Sequence, residues 1–127
     1  MAEWTFDSSA ILACLRQEPG GDIVESVFAS GIVSSVNLAE VVSRLIDLGL
    51  VPEEAMGRAL AGGYGVAPFD ETLALRAGAL RVVTRHLGLS LGDRACLALA
   101  GREGLPVLTA DRAWAALDIG VQIRLIR

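Results

Sequence analysis

Short apolar runs alternate with longer stretches of helical period along this chain. Such alternation is typical of an α/β domain, in which strands and helices follow one another and the strands form a parallel sheet. The apolar runs predict strands at residues 3–6, 32–35, 65–68, 106–109 and 121–126. The stretches between them predict helices at residues 9–16, 22–29, 37–48, 52–60, 71–87, 91–103 and 112–117. We therefore expect an α/β fold with a central parallel sheet of five strands.

The length and composition of the chain limit its organisation. With 127 residues, of which 53% are hydrophobic, it can bury one good core but is too short for two ordinary domains. No uninterrupted apolar run approaches the roughly 18 residues of a membrane span. The first residues also lack the basic region of a secretion signal. We expect one domain over residues 1–127, located in the cytoplasm and not associated with a membrane.

The charged residues exclude several classes of site. The chain has 11 basic and 15 acidic residues, a net charge of −4, and no lysine. The absence of lysine excludes a Walker A phosphate loop and Schiff-base chemistry. The acidic total argues against broad, non-specific binding of nucleic acid, for which a basic face is expected. Cys14 and Cys96 lie far apart in apolar helical patterns, so we expect both to pack in the core.

Two acids, Asp7 and Asp111, follow the first and fourth predicted strands. In an open parallel sheet, ligands bind beyond the carboxyl ends of the strands, at the point where the strand order reverses. If these two strands are neighbours at the centre of the sheet, the two carboxylates converge in one crevice. Taken singly, each acid is better interpreted as a helix N-cap that contributes about 1 kcal/mol.

Two further acids also have ordinary structural interpretations. Asp93 lies in the segment SLGDRACLALA, at the spacing of a capping box before an apolar helix. Glu40 shares the polar face of its helix with Asn37, Arg44 and Asp47, a face that we expect to point away from the core. A surface pair of Glu40 with Arg44 would contribute only about 0.3 to 0.5 kcal/mol.

In this order and spacing, the four acids make the chain resemble a PIN domain, and specifically the ribonuclease toxin of a VapBC-type toxin–antitoxin pair. The segments that carry the resemblance are FDSSAIL around Asp7, NLAEVVSRL around Glu40, LSLGDRACLALA around Asp93 and LPVLTADRAW around Asp111. Together they cover essentially the whole chain. The resemblance implies a three-layer α/β/α sandwich with strand order 3-2-1-4-5, in which the first and fourth strands are neighbours.

The resemblance also implies a site and an activity. Its acidic quartet, both catalytic and metal-binding, would be Asp7, Glu40, Asp93 and Asp111. Thr109 matches a position where the family often has a hydroxyl near the metal. Four carboxylates offer only oxygen ligands, which suit Mg²⁺ or Mn²⁺. The implied activity is that of a metal-dependent endoribonuclease, which hydrolyses RNA phosphodiester bonds.

The partners that the resemblance implies are an RNA substrate, a second copy of the chain and a cognate VapB-type antitoxin that neutralises the toxin. The homodimer would become a heterotetramer or larger with antitoxin. The segment LVPEEAMGRALAGG, residues 50–63, would supply a partner surface or belong to the core, and both interpretations stay open. Arg44, Arg94 and Arg112 would contact RNA phosphate or pair with the acids.

Other functions remain as alternatives. The chain would be a catalytically silent PIN-fold binding module if it contacts RNA or antitoxin without turnover. A PIN nuclease that acts in RNA processing or on DNA is also compatible with these residues. A phosphorylated receiver or a phosphatase-like α/β domain is disfavoured, because lysine is absent and Ser9 stands where a second aspartate would be needed.

Overall fold

The computed structural model describes all 127 residues, from Met1 to Arg127. Five parallel strands form one sheet: β1 (Trp4–Phe6), β2 (Gly31–Ser34), β3 (Gly65–Ala67), β4 (Val107–Thr109) and β5 (Ile123–Leu125). Their order is β3-β2-β1-β4-β5, as the resemblance implies. In the centre, Thr5 of β1 lies opposite Ile32 on one side and Val107 on the other. The strand order therefore reverses between β1 and β4, and a crevice opens at their carboxyl ends.

Helices and 3-10 turns connect the strands. The helices are α1 (Ser8–Leu15), α2 (Gly21–Ser26), α3 (Ser35–Asp47), α4 (Pro52–Leu60), α5 (Glu71–Ala79), α6 (Arg81–Thr84) and α7 (Leu91–Glu103). The 3-10 turns are Phe28–Ser30, Arg85–Leu87 and Arg112–Ala116. The helix predicted at 22–29 ends early, at Ser26, and the one predicted at 112–117 is a 3-10 turn. None of the helices combines the length and the apolar composition that crossing a bilayer would require.

The single helix predicted at residues 71–87 is wrong. α5 ends at Ala79, and the chain continues through the short α6 into a 3-10 turn. Thr84 Oγ1 donates a hydrogen bond to the carbonyl of Leu80 at 2.7 Å. A contact of this kind to the backbone one turn earlier often bends a helix, and the chain departs from a regular helix on both sides of α6.

Side chains along the strands alternate between the two faces of the sheet. Phe6, Val33 and Leu108 pack with the helices from α1 to α4 in the largest buried cluster. Val107 packs on the opposite face with α7 and the last 3-10 turn, and Ile32 packs there against α5 and α7. This alternation is the two-residue period of a strand. Helices therefore cover both faces of the sheet and form the three-layer α/β/α architecture.

The segment 50–63 is divided between core and surface. Ala55 and Ala59 of α4 are fully buried in the main cluster. Met56 and Leu60, on the other side of the same helix, are 48% and 57% exposed. The segment therefore belongs to the core along one face of the helix and is exposed along the other, and its role as a partner surface stays a prediction.

Candidate active site

The carboxylate of Asp7 lies in the crevice between β1 and β4, where the residue is only 3% exposed. Its Oδ2 atom accepts two hydrogen bonds, from Ser9 Oγ at 2.6 Å and from Thr109 Oγ1 at 2.9 Å. Its Oδ1 atom is also buried and has no hydrogen-bond partner in the protein. One oxygen of this carboxylate is therefore fixed, and the other is uncommitted.

The backbone after β4 fixes the two hydroxyls that hold Asp7. Ser9 Oγ accepts from the N–H of Ala110 at 2.9 Å, and Thr109 Oγ1 accepts from the N–H of Asp111 at 3.0 Å. Asp7 occupies the N-cap position of α1, but its side chain makes no capping hydrogen bond. The capping interpretation of this acid is therefore wrong, because its side chain links β1 to the end of β4 instead.

The pKa of Asp7 is raised from its ordinary value of 3.8 to about 6. Burial is the largest cause, since it disfavours the charged form. The hydrogen bonds from Ser9 and Thr109 oppose the rise, whereas the negative charges of Asp93 and Glu40 contribute to it. Asp93 and Glu40 thus lie within electrostatic range of Asp7.

Glu40 reaches the crevice from α3. It is half-buried, and its Oε1 atom accepts a hydrogen bond from Asn37 Nδ2 at 2.8 Å. The same Nδ2 donates to the carbonyl of Gly92 in α7 at 2.9 Å. Asn37 is fully buried, so the prediction that its helix face points away from the core is wrong at this position. Arg44 is exposed and makes no ion pair with Glu40.

Asp93 and Asp111 each bind a backbone N–H group. Asp93 forms the predicted capping box of α7 with Ser90: its Oδ2 accepts from the N–H of Ser90 at 2.9 Å, and Ser90 Oγ accepts from the N–H of Asp93 at 3.1 Å. Asp111 is exposed, and its Oδ1 caps the following 3-10 turn through the N–H of Ala113 at 3.0 Å. Both capping interpretations are confirmed. Asp111 is not among the charges that shift the pKa of Asp7.

Three residues near these acids do not stand out in the sequence as site residues. Ser9 and Asn37 are polar residues two and three positions from a predicted acid, and that proximity is the signal that would have found them. Cys96 is fully buried in α7, as expected for a core cysteine. Burial above all, with the charges of the nearby acids, raises the pKa of its thiol well above the usual range.

The donor atoms of the crevice suit a hard divalent cation, since all of them are oxygens. Two carboxylates about 4 Å apart repel by about 4 kcal/mol at an effective dielectric constant of 20, so clustered acids gain from a cation. The unpartnered Oδ1 of Asp7 is a donor of this kind. In their present positions, however, no three acidic, cysteine or histidine side chains form a group that could hold a metal. The residues fit the cation by chemistry, while Asp93 and Asp111 are engaged in caps.

Replacing Thr109 with valine should raise the pKa of Asp7 above its value of about 6. Valine keeps the shape of the side chain but removes a hydroxyl that stabilises the ionised carboxylate. Titration of the Asp7 carboxyl carbon by NMR in metal-free protein measures this pKa. Thr109→Ser keeps a hydroxyl and should stay near the wild-type value. An unchanged pKa in Thr109→Val would show that this hydroxyl does not donate to Asp7.

Comparison with known proteins finds one matching family model and several solved structures with a similar fold. The model of the PIN domain family matches residues 5–120. No curated protein sequence matches the chain significantly. The structure of DNA-bound VapBC from Salmonella typhimurium is similar, with a TM-score of 0.76 and 19% identity over 100% of both chains.

Two structures from Mycobacterium tuberculosis are also similar. VapBC-5 has a TM-score of 0.60 and 25% identity, over 100% of this chain and 99% of that chain. VapC20, described as a toxin that cleaves the sarcin-ricin loop, has a TM-score of 0.70 and 18% identity, over 94% and 99% of the two chains. These likenesses show a shared fold. Together with the family model, which matches most of the chain, they lead to one identification: the chain belongs to the PIN domain family.

Proposed function

We propose that this chain is a metal-dependent endoribonuclease and the toxin of a VapBC-type toxin–antitoxin pair. The observation that carries the proposal is the buried carboxylate of Asp7, which keeps one oxygen uncommitted beside Glu40 and Asp93. An arrangement of this kind costs folding free energy, because a buried charge without full pairing is unfavourable. A ligand at the crevice accounts for that cost.

In this proposal, Asp7, Glu40, Asp93 and Asp111 hold Mg²⁺ or Mn²⁺ directly or through water. When bound, the cation would polarise the scissile phosphodiester and lower the pKa of the attacking water. The protein groups fix the acids in place: Ser9 and Thr109 hold one oxygen of Asp7. One acid orients the nucleophilic water, and cleavage leaves 5′-phosphate and 3′-hydroxyl ends.

The arginines near the site divide into two groups. Arg44, Arg94 and Arg112 make no ion pair, so pairing with the acids does not account for them. Arg94 donates to the carbonyl of Ala77 at 2.9 Å and ties α7 to α5. Arg44 and Arg112 are exposed, and Arg44 lines a cleft of about 520 Å³ together with Glu40. We assign these two to contacts with RNA phosphate.

Cleavage of end-labelled RNA by purified, antitoxin-free protein tests the activity. The assay compares Mg²⁺ and Mn²⁺ with EDTA, and RNA with single-stranded DNA. The proposal predicts internal cuts in RNA that need metal and leave 3′-hydroxyl ends. Cleavage of DNA alone would instead support a DNA-directed PIN nuclease. A folded protein that cuts no RNA with either metal would support a silent binding module.

The antitoxin is proposed to bind along α3 and α4. An apolar groove of about 430 Å³ lies between these helices, lined by Leu38, Val42, Met56 and Leu60. It shares Ala39 and Ser43 with the cleft that contains Glu40, so the groove adjoins the acidic site. An amphipathic segment could thus bury apolar side chains in the groove and place a basic one near the acids. The homodimer, and the larger complex with antitoxin, stay predictions.

Replacing Met56 with glutamate should weaken binding of the cognate antitoxin by about 10-fold or more, because a carboxylate in an apolar groove must lose water without gaining a partner. Met56 is 48% exposed, so the change should not unfold the protein. Calorimetric titration with antitoxin measures the affinity. Leu75→Glu is the matched control, since Leu75 is 70% exposed on α5, away from the groove. Equal losses in the two variants would count against the groove.

A further inference from the structure

Asn37 is fully buried and lies between two elements of the site. Its Nδ2 donates both of its hydrogens, one to Glu40 Oε1 at 2.8 Å and one to the carbonyl of Gly92 at 2.9 Å. The orientation of the amide is determined by these partners, because both are acceptors and the amide oxygen could bond to neither. The side chain therefore joins the carboxylate of Glu40 in α3 to the first turn of α7.

Gly92 lies on the other side of the same carboxylate. A Cβ atom at this position would lie within 2.5 Å of all three atoms of the Glu40 carboxyl group. Only a residue without a side chain lets this carboxylate come so close to the first turn of α7. The N–H groups at a helix N-terminus also favour a negative charge. Glu40 is thus held between an amide donor and a glycine.

The contribution of Asn37 to folding stability does not by itself explain why an asparagine is buried at this position. Its Oδ1 atom is buried and has no hydrogen-bond partner. An unsatisfied buried acceptor is costly, and replacing such a network with apolar groups of the same shape is often neutral or stabilising. The cost of the unpartnered oxygen is explained if the amide is needed to hold the carboxylate of Glu40.

We propose that Asn37 is a positioning residue, which together with Gly92 fixes the carboxylate of Glu40 for metal binding. This inference rests on the proposed function of Glu40 as a metal ligand. The amide of Asn37 makes no contact with substrate in this account, and its two contacts are with Glu40 and with the carbonyl of Gly92. Its loss should therefore change metal binding through the position of the Glu40 carboxylate.

A double-mutant cycle tests this, with Mn²⁺ affinity measured by calorimetry and RNA cleavage as a second readout. Asn37→Ala should lower Mn²⁺ affinity by about 10-fold, the effect typical of groups that orient metal ligands. It should lower kcat and leave KM for RNA nearly unchanged. In the Glu40→Gln background, Asn37→Ala should add no further loss, because its effect passes through Glu40. Additive losses would overturn the proposal.

Two further variants separate positioning from folding. Gly92→Ala replaces glycine with a better helix former and should lower Mn²⁺ affinity without lowering the unfolding temperature, because the methyl group displaces Glu40. Val41→Ala, which opens a cavity in the core on the same helix, should destabilise the protein and leave Mn²⁺ affinity unchanged. Unchanged affinity in Gly92→Ala, or equal loss in Val41→Ala, would overturn the proposal.

A crystal structure of Asn37→Ala tests the positioning of Glu40 by Asn37 independently of the proposed activity. A Glu40 carboxylate that has moved away from Gly92 supports positioning by Asn37, whether or not the wild type cleaves RNA. A carboxylate that stays in place overturns it. Failure of the wild type to bind Mn²⁺ or to cleave RNA would instead contradict the proposed function itself.

Discussion

Replacing Asp7 with asparagine should abolish RNA cleavage and, at the same time, stabilise the metal-free protein at neutral pH. Cleavage should fall by about 100-fold or more, since groups that only orient a metal ligand already contribute 10- to 100-fold. Stability should rise because the neutral amide still accepts from Ser9 and Thr109 but carries no charge. The rise in the pKa of Asp7 from 3.8 to about 6 corresponds to roughly 3 kcal/mol, the upper limit of the gain.

The pH dependence of stability follows from the same pKa. Asp7 titrates near 3.8 when the chain is unfolded and at about 6 when it is folded. Between these values the folded state binds more protons, so the free energy of unfolding falls as the pH rises from about 4 to about 6. Above this range the loss is complete. The contribution of Asp7 to this slope should be absent in Asp7→Asn.

Urea unfolding in EDTA, at about pH 4 and about pH 8, measures both effects. Asp7→Asn should exceed the wild type by about 1 to 3 kcal/mol at the higher pH and differ little at the lower one. Asp47→Asn, at the exposed end of α3, is the control and should show neither difference. An Asp7→Asn protein less stable than the wild type at pH 8 would show that the buried charge is fully compensated.

Replacing Trp114 with alanine should destabilise the protein by about 3 to 5 kcal/mol, the range found for large core aromatics. Trp114 is the largest of the fully buried side chains, and it packs in a cluster with Leu97 of α7 and Val107 of β4. It lies three residues after Asp111, in the 3-10 turn that this acid caps. The indole therefore anchors the segment that carries Asp111 to the sheet.

Thermal unfolding measures this loss, and the midpoint should fall by more than about 10 °C. Trp114→Phe is the matched control. It keeps most of the apolar volume and removes an indole N–H that has no hydrogen-bond partner, so its cost should be well below that of alanine. If phenylalanine were as damaging as alanine, the indole would contribute something other than apolar packing.

The strands and most helices could be predicted because their signals are local. α4 and α7 begin and end at the predicted residues, and the acids after β1 and β4 lie at the predicted reversal of strand order. The burial of Asn37 could not be predicted from such local signals. Its burial depends on a contact with Gly92, 55 residues away, and helical periodicity does not show which neighbouring element covers a polar face.

The chemistry of the site was also only partly visible in the sequence. The spacing of Ser90 and Asp93 predicts a capping box, and the structure contains it. The same spacing does not show that Asp93 also lies close enough to Asp7 to raise its pKa. One oxygen of Asp7 has no partner because two hydroxyls from different elements both donate to the other oxygen. No sequence pattern predicts that arrangement.

Calorimetric titration with Mn²⁺ in the absence of RNA measures whether the buried acidic crevice binds a divalent cation. The wild type should bind Mn²⁺ above pH 6, where Asp7 is ionised, and Asp7→Asn should lose at least about 10-fold in affinity. Binding should also raise the unfolding temperature of the wild type, because a ligand that binds only the folded state stabilises it. If the wild type binds no Mn²⁺, or if Asp7→Asn binds it equally well, the acidic crevice is not a metal site.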